Sequence, residues 1–239
     1  LAAAAGAAGA QVSIQEYPLP ARVGAHDVWA DPAPNGPVWF AAQRSGELGR
    51  LDPQSGKVEM IPLGSRSSPH GVILDSEGNP WLTDGGQNAI VRVDAKTRAV
   101  KAWPLPEDTG YANLNTAIFD KAGIHWFTGQ SGWYGRLDPK TGDLKVFLSP
   151  GGRGPYGIHA TPDGTVYYAS LAGSHIARIE AASGNAPVIQ PPTGRQGARR
   201  GRSAGPQEGR RGSRRRAPAP ARCRARPLHH PAGDERRGN

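Results

Sequence analysis

The sequence is nearly free of cysteine. Its one cysteine, Cys223, lies near the C-terminal end, so the first 193 residues contain neither a disulfide framework nor a cysteine-based zinc site. No run of 18 apolar residues occurs, so no membrane span is predicted. The first 193 residues also lack the Gly-x-Ser-x-Gly, P-loop and His-Glu-x-x-His motifs, so no motif supports hydrolase or phosphate chemistry there.

Basic residues are scarce in most of the chain and concentrated at its end. Residues 194–239 carry 14 arginines, no lysine and three acids, a net charge of +11, whereas residues 1–193 carry a net charge of −2. Leu228 is the single large apolar residue of that last segment, too little to offset the entropy of ordering it. We therefore expect residues 194–239 to be a disordered basic tail, and we do not expect the slightly acidic body to bind nucleic acid.

The first ten residues are almost entirely alanine and glycine. Ala8-Gly9-Ala10 has the small-residue pattern of a secretory cleavage site. Residues 1–10 are therefore interpreted as the remnant of a signal peptide, which predicts a periplasmic or secreted protein. The alternative is a flexible leader on a cytoplasmic protein, since the basic stretch that begins a signal peptide is missing.

A repeat of 42 to 44 residues is the strongest pattern in the sequence. Gly-Arg-Leu-Asp at 49–52 recurs in related form at 91–94, 135–138 and 177–180. An aromatic strand precedes each copy, at 38–40, 80–82, 125–127 and 166–168. Four short strands in each repeat, without an amphipathic helix, predict an all-β fold of four-stranded antiparallel propeller blades. A β-sandwich is the alternative, but its strands need not repeat the same residues in the same order.

Four blades account for a partial β-propeller over residues 11–193. Residues 13–20 match the fourth strand of a blade, and a fifth blade would open near residue 199, where the chain instead becomes arginine-rich. Arginine, alanine, glycine and proline are what GC-rich DNA tends to give when read in the wrong frame. We therefore interpret the tail as a frameshift product, with a genuine disordered tail and a polyanion-binding arm as the alternatives.

Aligning the repeats places one polar side chain of each blade at the start of its innermost strand. These side chains are His26, His70, Asn115 and Tyr156, and Asp84 ends the second strand of blade 2 at the same face. We expect the five to form a ring that faces a polar ligand in the central channel, with a histidine able to act as a general base. The alternative is that they satisfy loop backbone groups, and for Asp84 a capped turn is favoured over a cation site.

The aromatic residues at equivalent repeat positions are expected to pack between blades; they are Trp39, Trp81, Trp126 and Tyr167. His125 and His159 are expected to be packing or surface residues, and His175 is expected in a polar loop.

Five motifs together resemble the virginiamycin B lyase, or streptogramin B lyase, family. They are Glu-Tyr-Pro-Leu-Pro at 16–20, Pro-His-Gly-Val at 69–72, Trp-Phe-Thr at 126–128, Pro-Tyr-Gly-Ile at 155–158 and the repeated Gly-Arg-Leu-Asp. The resemblance implies a seven-bladed propeller, of which four blades are present here. It also implies an enzyme that linearises cyclic depsipeptide antibiotics by Mg²⁺-dependent C–O bond elimination, with a small cyclic peptide as its ligand and antibiotic resistance as its role.

The resemblance does not assign catalytic residues or metal ligands in this chain. The family's histidine base, its Glu-x-His pair and a further acidic residue lie in its last blades, which have no counterpart here. Ser68-Pro69-His70 has the shape of the family's Glu-Pro-His motif, but serine replaces the glutamate and the motif lies in the second blade. We therefore expect this chain to be inactive as a lyase, and the alternative is a non-catalytic exported propeller that binds a ligand or a protein partner.

Overall fold

The structure is a computed structural model that describes residues 13–192. The predicted leader at 1–10 and the predicted tail at 194–239 lie outside the described residues. Within them, no helix is long and apolar enough to cross a membrane.

The described chain forms four antiparallel sheets of four strands each, which confirms the predicted all-β propeller blades. Each sheet contains consecutive strands in chain order. Blades 1 and 2 are β1 (Ala25–Ala30), β2 (Val38–Ala42), β3 (Glu47–Leu51), β4 (Val58–Pro62), β5 (Pro69–Leu74), β6 (Pro80–Asp84), β7 (Ala89–Val93) and β8 (Val100–Pro104). Blades 3 and 4 are β9 (Leu114–Phe119), β10 (His125–Gly129), β11 (Trp133–Leu137), β12 (Leu144–Leu148), β13 (Pro155–Ala160), β14 (Val166–Ser170), β15 (His175–Ile179) and β16 (Val188–Ile189). A short 3₁₀ turn, Glu107–Thr109, precedes blade 3.

An aspartate fixes the turn between the first two strands of blades 2 and 3. Asp75 accepts backbone N–H groups within its own turn, and its second oxygen accepts the indole N–H of Trp81 at 2.9 Å. Asp120 repeats this arrangement with Trp126 at 2.8 Å. Asx turns of this kind satisfy backbone donors locally. The same carboxylate therefore shapes the hairpin and orients the large aromatic residue that packs between blades.

Tryptophans from the second strands pack between neighbouring blades, as the repeat predicts. Trp39, Trp81 and Trp126 are each at most 2% exposed. Each belongs to a different apolar cluster that joins its own blade to the next. Tyr167, at the equivalent position of blade 4, is only half-buried, because no described sheet packs against that face.

Residues 13–20, which match the fourth strand of a blade in sequence, do not form a strand. This segment has no regular secondary structure, and no described strand pairs with it. It is held to blade 1 by a side chain instead: the hydroxyl of Tyr17 donates to the carbonyl of Pro53 at 3.1 Å. The pattern of a fourth strand was present, but a strand forms only where a partner offers its backbone groups.

His125 lies in the core with no hydrogen-bond partner on either ring nitrogen. Its ring packs within 5.2 to 6.3 Å of three aromatic rings, Trp81, Phe119 and Phe127. Burial lowers the pKa of His125 to about 3, since a charged imidazole would lose its hydration there. It is therefore a neutral packing residue, in line with its prediction as a packing or surface residue.

We expect a substitution at Gly71 to destabilise the fold. A Cβ at Gly71 would lie 2.6 Å from the carbonyl oxygen of Asn115 and 2.9 Å from the hydroxyl of Thr83. Gly71→Ala should therefore cost about 1–3 kcal/mol, the usual range for overpacking, measured from urea denaturation midpoints. Gly157 holds the same place in the repeat but has nothing within 4 Å of its Cβ position. Gly157→Ala is the matched control, and equal losses in both variants would contradict this packing.

We expect His125 to make the fold sensitive to acid. Because its folded pKa lies below its ordinary value of 6.5, the unfolded chain binds a proton that the folded chain does not. The stability that depends on neutral His125 should therefore be fully present above pH 6.5. Below that pH the free energy of unfolding should fall by up to about 1.4 kcal/mol per pH unit. In His125→Leu this part of the slope should disappear in urea denaturation between pH 4 and 7.

Phe127→Leu, in the same cluster, is the control for packing alone. It should lower the free energy of unfolding at every pH and leave the slope unchanged. An unaltered slope in His125→Leu would show that other groups cause the acid sensitivity.

Candidate functional site

A β-bulge lies at the start of the innermost strand in each blade. The pairing of β5 with β6 joins Pro69 to Asp84 and then Gly71 to Thr83, so His70 is the extra residue. The same shift occurs at residues 26–27, 115–116 and 156–157 of the other blades. Bulges redirect side chains and are common next to functional sites. All four predicted inner-strand residues therefore sit where the strand leaves its regular pairing.

Threonines of two blades hold the bulge of the following blade. The hydroxyl of Thr83 donates to the carbonyl of Asn115 and accepts the N–H of Gly71 at 2.9 Å. In the next blade, Thr128 donates to the carbonyl of Tyr156, which also accepts the hydroxyl of Thr116 at 2.6 Å. These bonds run from one blade to the next, so the positions of neighbouring bulges depend on each other.

Three of the predicted site residues come together. The rings of His26 and His70 lie 4.0 Å apart between centroids, with their planes at 47°. Tyr156 also packs edge-on against His70, with 5.9 Å between the ring centroids. These residues come from blades 1, 2 and 4, and they form a row of aromatic rings across the start of the inner strands.

The carboxylate of Asp27 lies near a nitrogen of each imidazole. One carboxylate oxygen is 2.9 Å from Nδ1 of His26, and the other is 3.8 Å from Nδ1 of His70. The alignment of the repeats missed Asp27 because it assigned one residue per blade to the ring. The bulge at residues 26–27 places two consecutive side chains at the site instead. The only signal in the sequence was the acidic residue directly after His26.

The half-buried imidazole of His70 has a lowered pKa. Burial is the main cause, and the neighbouring His26 adds to it, while Asp27 opposes both. His70 is therefore mostly neutral at pH 7, and a neutral imidazole has a nitrogen lone pair that accepts a proton or binds a metal.

The side chain of Asn115 is buried and offers no exposed group to the site. Its side chain is 1% exposed, donates to the carbonyl of Asn113 at 2.9 Å, and accepts from Gln130 at 3.2 Å. Its amide is thus fully hydrogen-bonded within the protein. For Asn115 the geometry therefore favours the alternative in which the side chain bonds to loop groups and does not contact a ligand.

Asp84 is fully buried, and its carboxylate accepts five hydrogen bonds. The donors are the hydroxyl of Ser67, the backbone N–H groups of Ser68, Gly86 and Gln87, and the side-chain amide of Gln87. Such a carboxylate holds the loop before β5 and the turn after β6 together. The geometry therefore favours the capped turn over ligand contact for Asp84.

The candidate site residues do not fit Mg²⁺. This ion prefers oxygen ligands in near-octahedral geometry, but the oxygens of Asp84 are already used within the protein. The cluster of His26, Asp27 and His70 offers two nitrogens and one carboxylate. Neither Asp84 nor this cluster therefore offers the ligand set expected for the magnesium that the resemblance implies.

A groove of about 440 Å³ begins at His26 and Asp27 and runs along the inner strands. Its walls are mainly apolar. It is lined by His26, Asp27, Val28, Trp29, Gly71, Val72, Ile73, Thr116, Ala117, Ile118, Ile158 and His159. Val28 is 62% exposed and Trp29 36% exposed, unusual values for apolar residues of an innermost strand. The site therefore combines polar rings at one end with an exposed apolar surface.

The two remaining described histidines lie apart from the row of rings. His159 is an exposed residue of β13 and lines the groove. His175, expected in a polar loop, instead begins β15 and is buried. Gly151 and Gly173 allow this, because a Cβ on either would lie within 2.5 Å of the His175 ring.

Comparisons with known proteins converge on one family. A model of the Virginiamycin B lyase family matches residues 2–187. The chain superimposes on selenomethionine-substituted virginiamycin B lyase from Staphylococcus aureus with a TM-score of 0.67 and 26% identity, over 76% of this chain and 60% of that one. It also superimposes on a catalytically inactive variant of that lyase with quinupristin, with a TM-score of 0.68 and 24% identity, over 78% of this chain and 62% of that one.

A curated gluconolactonase from Zymomonas mobilis subsp. mobilis is also similar. It is 32% identical over 136 residues, which cover 48% of this chain and 37% of that protein. This chain therefore spans less than two thirds of the length of each of these relatives.

We expect opposite changes in the pKa of His70 when its two neighbours in the cluster are replaced. His26→Ala removes the neighbouring imidazole that lowers this pKa and should therefore raise it. Asp27→Asn removes the negative neighbour and should lower it. Titration of the histidine ring signals by NMR measures both. Shifts in the same direction would contradict the arrangement of the three side chains.

Proposed function

The chain belongs to the virginiamycin B lyase family, and we propose that its four blades form the ligand-binding wall of a carbon–oxygen lyase that linearises cyclic depsipeptides. In this proposal the described residues bind and orient the ligand. The complete elimination needs groups that residues 13–192 do not supply.

The proposal rests on one observation: the row of His26, His70 and Tyr156 meets an apolar groove at His26. A cyclic depsipeptide presents apolar side chains together with ester and amide carbonyls. Trp29 and Val28 offer exposed apolar surface to the side chains, and imidazole and phenol groups can donate hydrogen bonds to carbonyl oxygens. Sites of this composition, apolar with a few polar groups, are typical of small-molecule binding.

The names of the relatives support a cyclic ester as the ligand. One solved relative is a lyase with quinupristin, and the curated relative is a gluconolactonase. A depsipeptide ring closed by an ester and a sugar lactone share an ester bond within a ring. We therefore place the ester of the ligand near the row of rings and its apolar side chains along the groove.

The chemistry available in this chain is limited. Elimination needs a base to take a proton and an electrophile to stabilise the charge that develops. His70, kept neutral by burial, can accept a proton. The candidate site residues offer no Mg²⁺ ligand set, so we derive no step through the metal. Loss of positioned acid–base help alone costs about 10²- to 10⁴-fold in rate, and we expect turnover by this chain to be undetectable.

We expect the chain to bind quinupristin without opening its ring. In isothermal titration calorimetry, Tyr156→Ala and Trp29→Ala should each weaken binding about tenfold, since each removes an aromatic contact worth about 1.4 kcal/mol. Leu148→Ala is the matched control, because Leu148 is an apolar residue, 69% exposed, on the outermost strand of blade 3. Equal affinity in all four proteins would contradict binding in the groove.

Chromatography with mass detection tests turnover in the same samples, with Mg²⁺ added. Elimination would give a product of unchanged mass and new retention time, whereas hydrolysis would add one water. Unchanged quinupristin is the expected result. Ring opening that disappears in His70→Ala would show that these four blades hold a complete catalytic site.

A further inference from the structure

His26, Asp27 and His70 bring three metal-binding groups together from two blades. One ligand atom from each lies within 4.8 Å of the other two. The two residues from blade 1 are consecutive and share a bulge, while His70 belongs to the bulge of blade 2. The cluster therefore depends on the packing of two inner strands, and it does not arise from one flexible loop.

The distances are close to those of a metal centre. Nδ1 of His26 and Nδ1 of His70 lie 2.9 and 3.8 Å from the two oxygens of Asp27. Neighbouring ligands around a tetrahedral zinc are about 3.3 Å apart, given metal–ligand bonds of about 2.0–2.2 Å. The observed separations lie on either side of this value. The longer one, between Asp27 and His70, would have to shorten by about 0.5 Å for both to bind one ion.

One nitrogen of the cluster is not satisfied by the protein. Nδ1 of His70 is buried and has no hydrogen-bond partner, although the Asp27 carboxylate faces it at 3.8 Å. A buried polar atom without a partner costs free energy. A bound cation would satisfy this atom and both carboxylate oxygens together.

We propose that His26, Asp27 and His70 bind a divalent transition-metal ion such as Zn²⁺. Two imidazoles and one carboxylate suit zinc, nickel, cobalt or iron, and they suit Mg²⁺ poorly. Three protein ligands leave a fourth position for water or for a carbonyl oxygen of a ligand in the groove. The ion would thus sit at the polar end of the groove. Metal binding does not depend on the proposed peptide binding, because it is measured without peptide.

The test uses the full chain, with Zn²⁺ and Co²⁺ as probes. Equilibrium dialysis should show one bound Zn²⁺ per chain, with an affinity that falls by at least about 100-fold in Asp27→Asn and in His26→Ala. A loss of this size is the upper end of what removal of a residue next to a metal ligand causes, so removal of a ligand itself should cause at least as much. Asp31→Asn is the matched control, because Asp31 lies just beyond the other end of β1 and caps only its own turn. A large excess of Mg²⁺ should not displace the ion.

Paramagnetic Co²⁺ identifies the ligands directly. One equivalent should broaden the NMR ring signals of His26 and His70 and leave those of buried His125 sharp. His229 and His230 are further imidazoles of the chain that could take up metal. Broadening confined to these two, or Zn²⁺ affinity unchanged in Asp27→Asn, would overturn the proposal.

Discussion

The bulge at the start of each innermost strand is the constraint on which the site depends. A regular strand sends alternate side chains to opposite faces, so one extra residue is needed to turn a side chain toward the centre. Each blade supplies that residue at the same point of its pairing with the second strand. The hydroxyls of Thr83 and Thr128 then tie one bulge to the next. The backbone geometry of the bulge therefore sets where the side chain lies, and the residue type at the bulge sets which chemical group is placed there.

The repeat made the fold predictable from the sequence. Motifs that recur every 42 to 44 residues placed the blades, and the aromatic strands correctly predicted the tryptophans between them. The segment at residues 13–20 shows the limit of this reasoning. Its pattern is that of a fourth strand, yet strand formation depends on a partner, and sequence similarity between repeats contains no information about which strand is available for pairing.

The site was predictable only as a set of positions. The repeat identified His26, His70 and Tyr156, which the structure brings together. It missed Asp27 because a bulge changes which face a residue occupies, and the sequence does not reveal the bulge. It also could not predict that five donors engage Asp84, because those donors belong to loops outside the repeated motifs.

The burial of Asn115 explains how rings from non-adjacent blades can meet. Blade 3 lies between those of His70 and Tyr156, and a large side chain at its bulge would separate them. Asn115 instead directs its amide to Asn113 and Gln130 and leaves the surface to its neighbours. His70 therefore packs against both an imidazole and a phenol ring. Asn115 contributes no exposed group, whereas His26, His70 and Tyr156 at the equivalent positions are each at least partly exposed. The polar surface at this end of the inner strands therefore comes from those three residues.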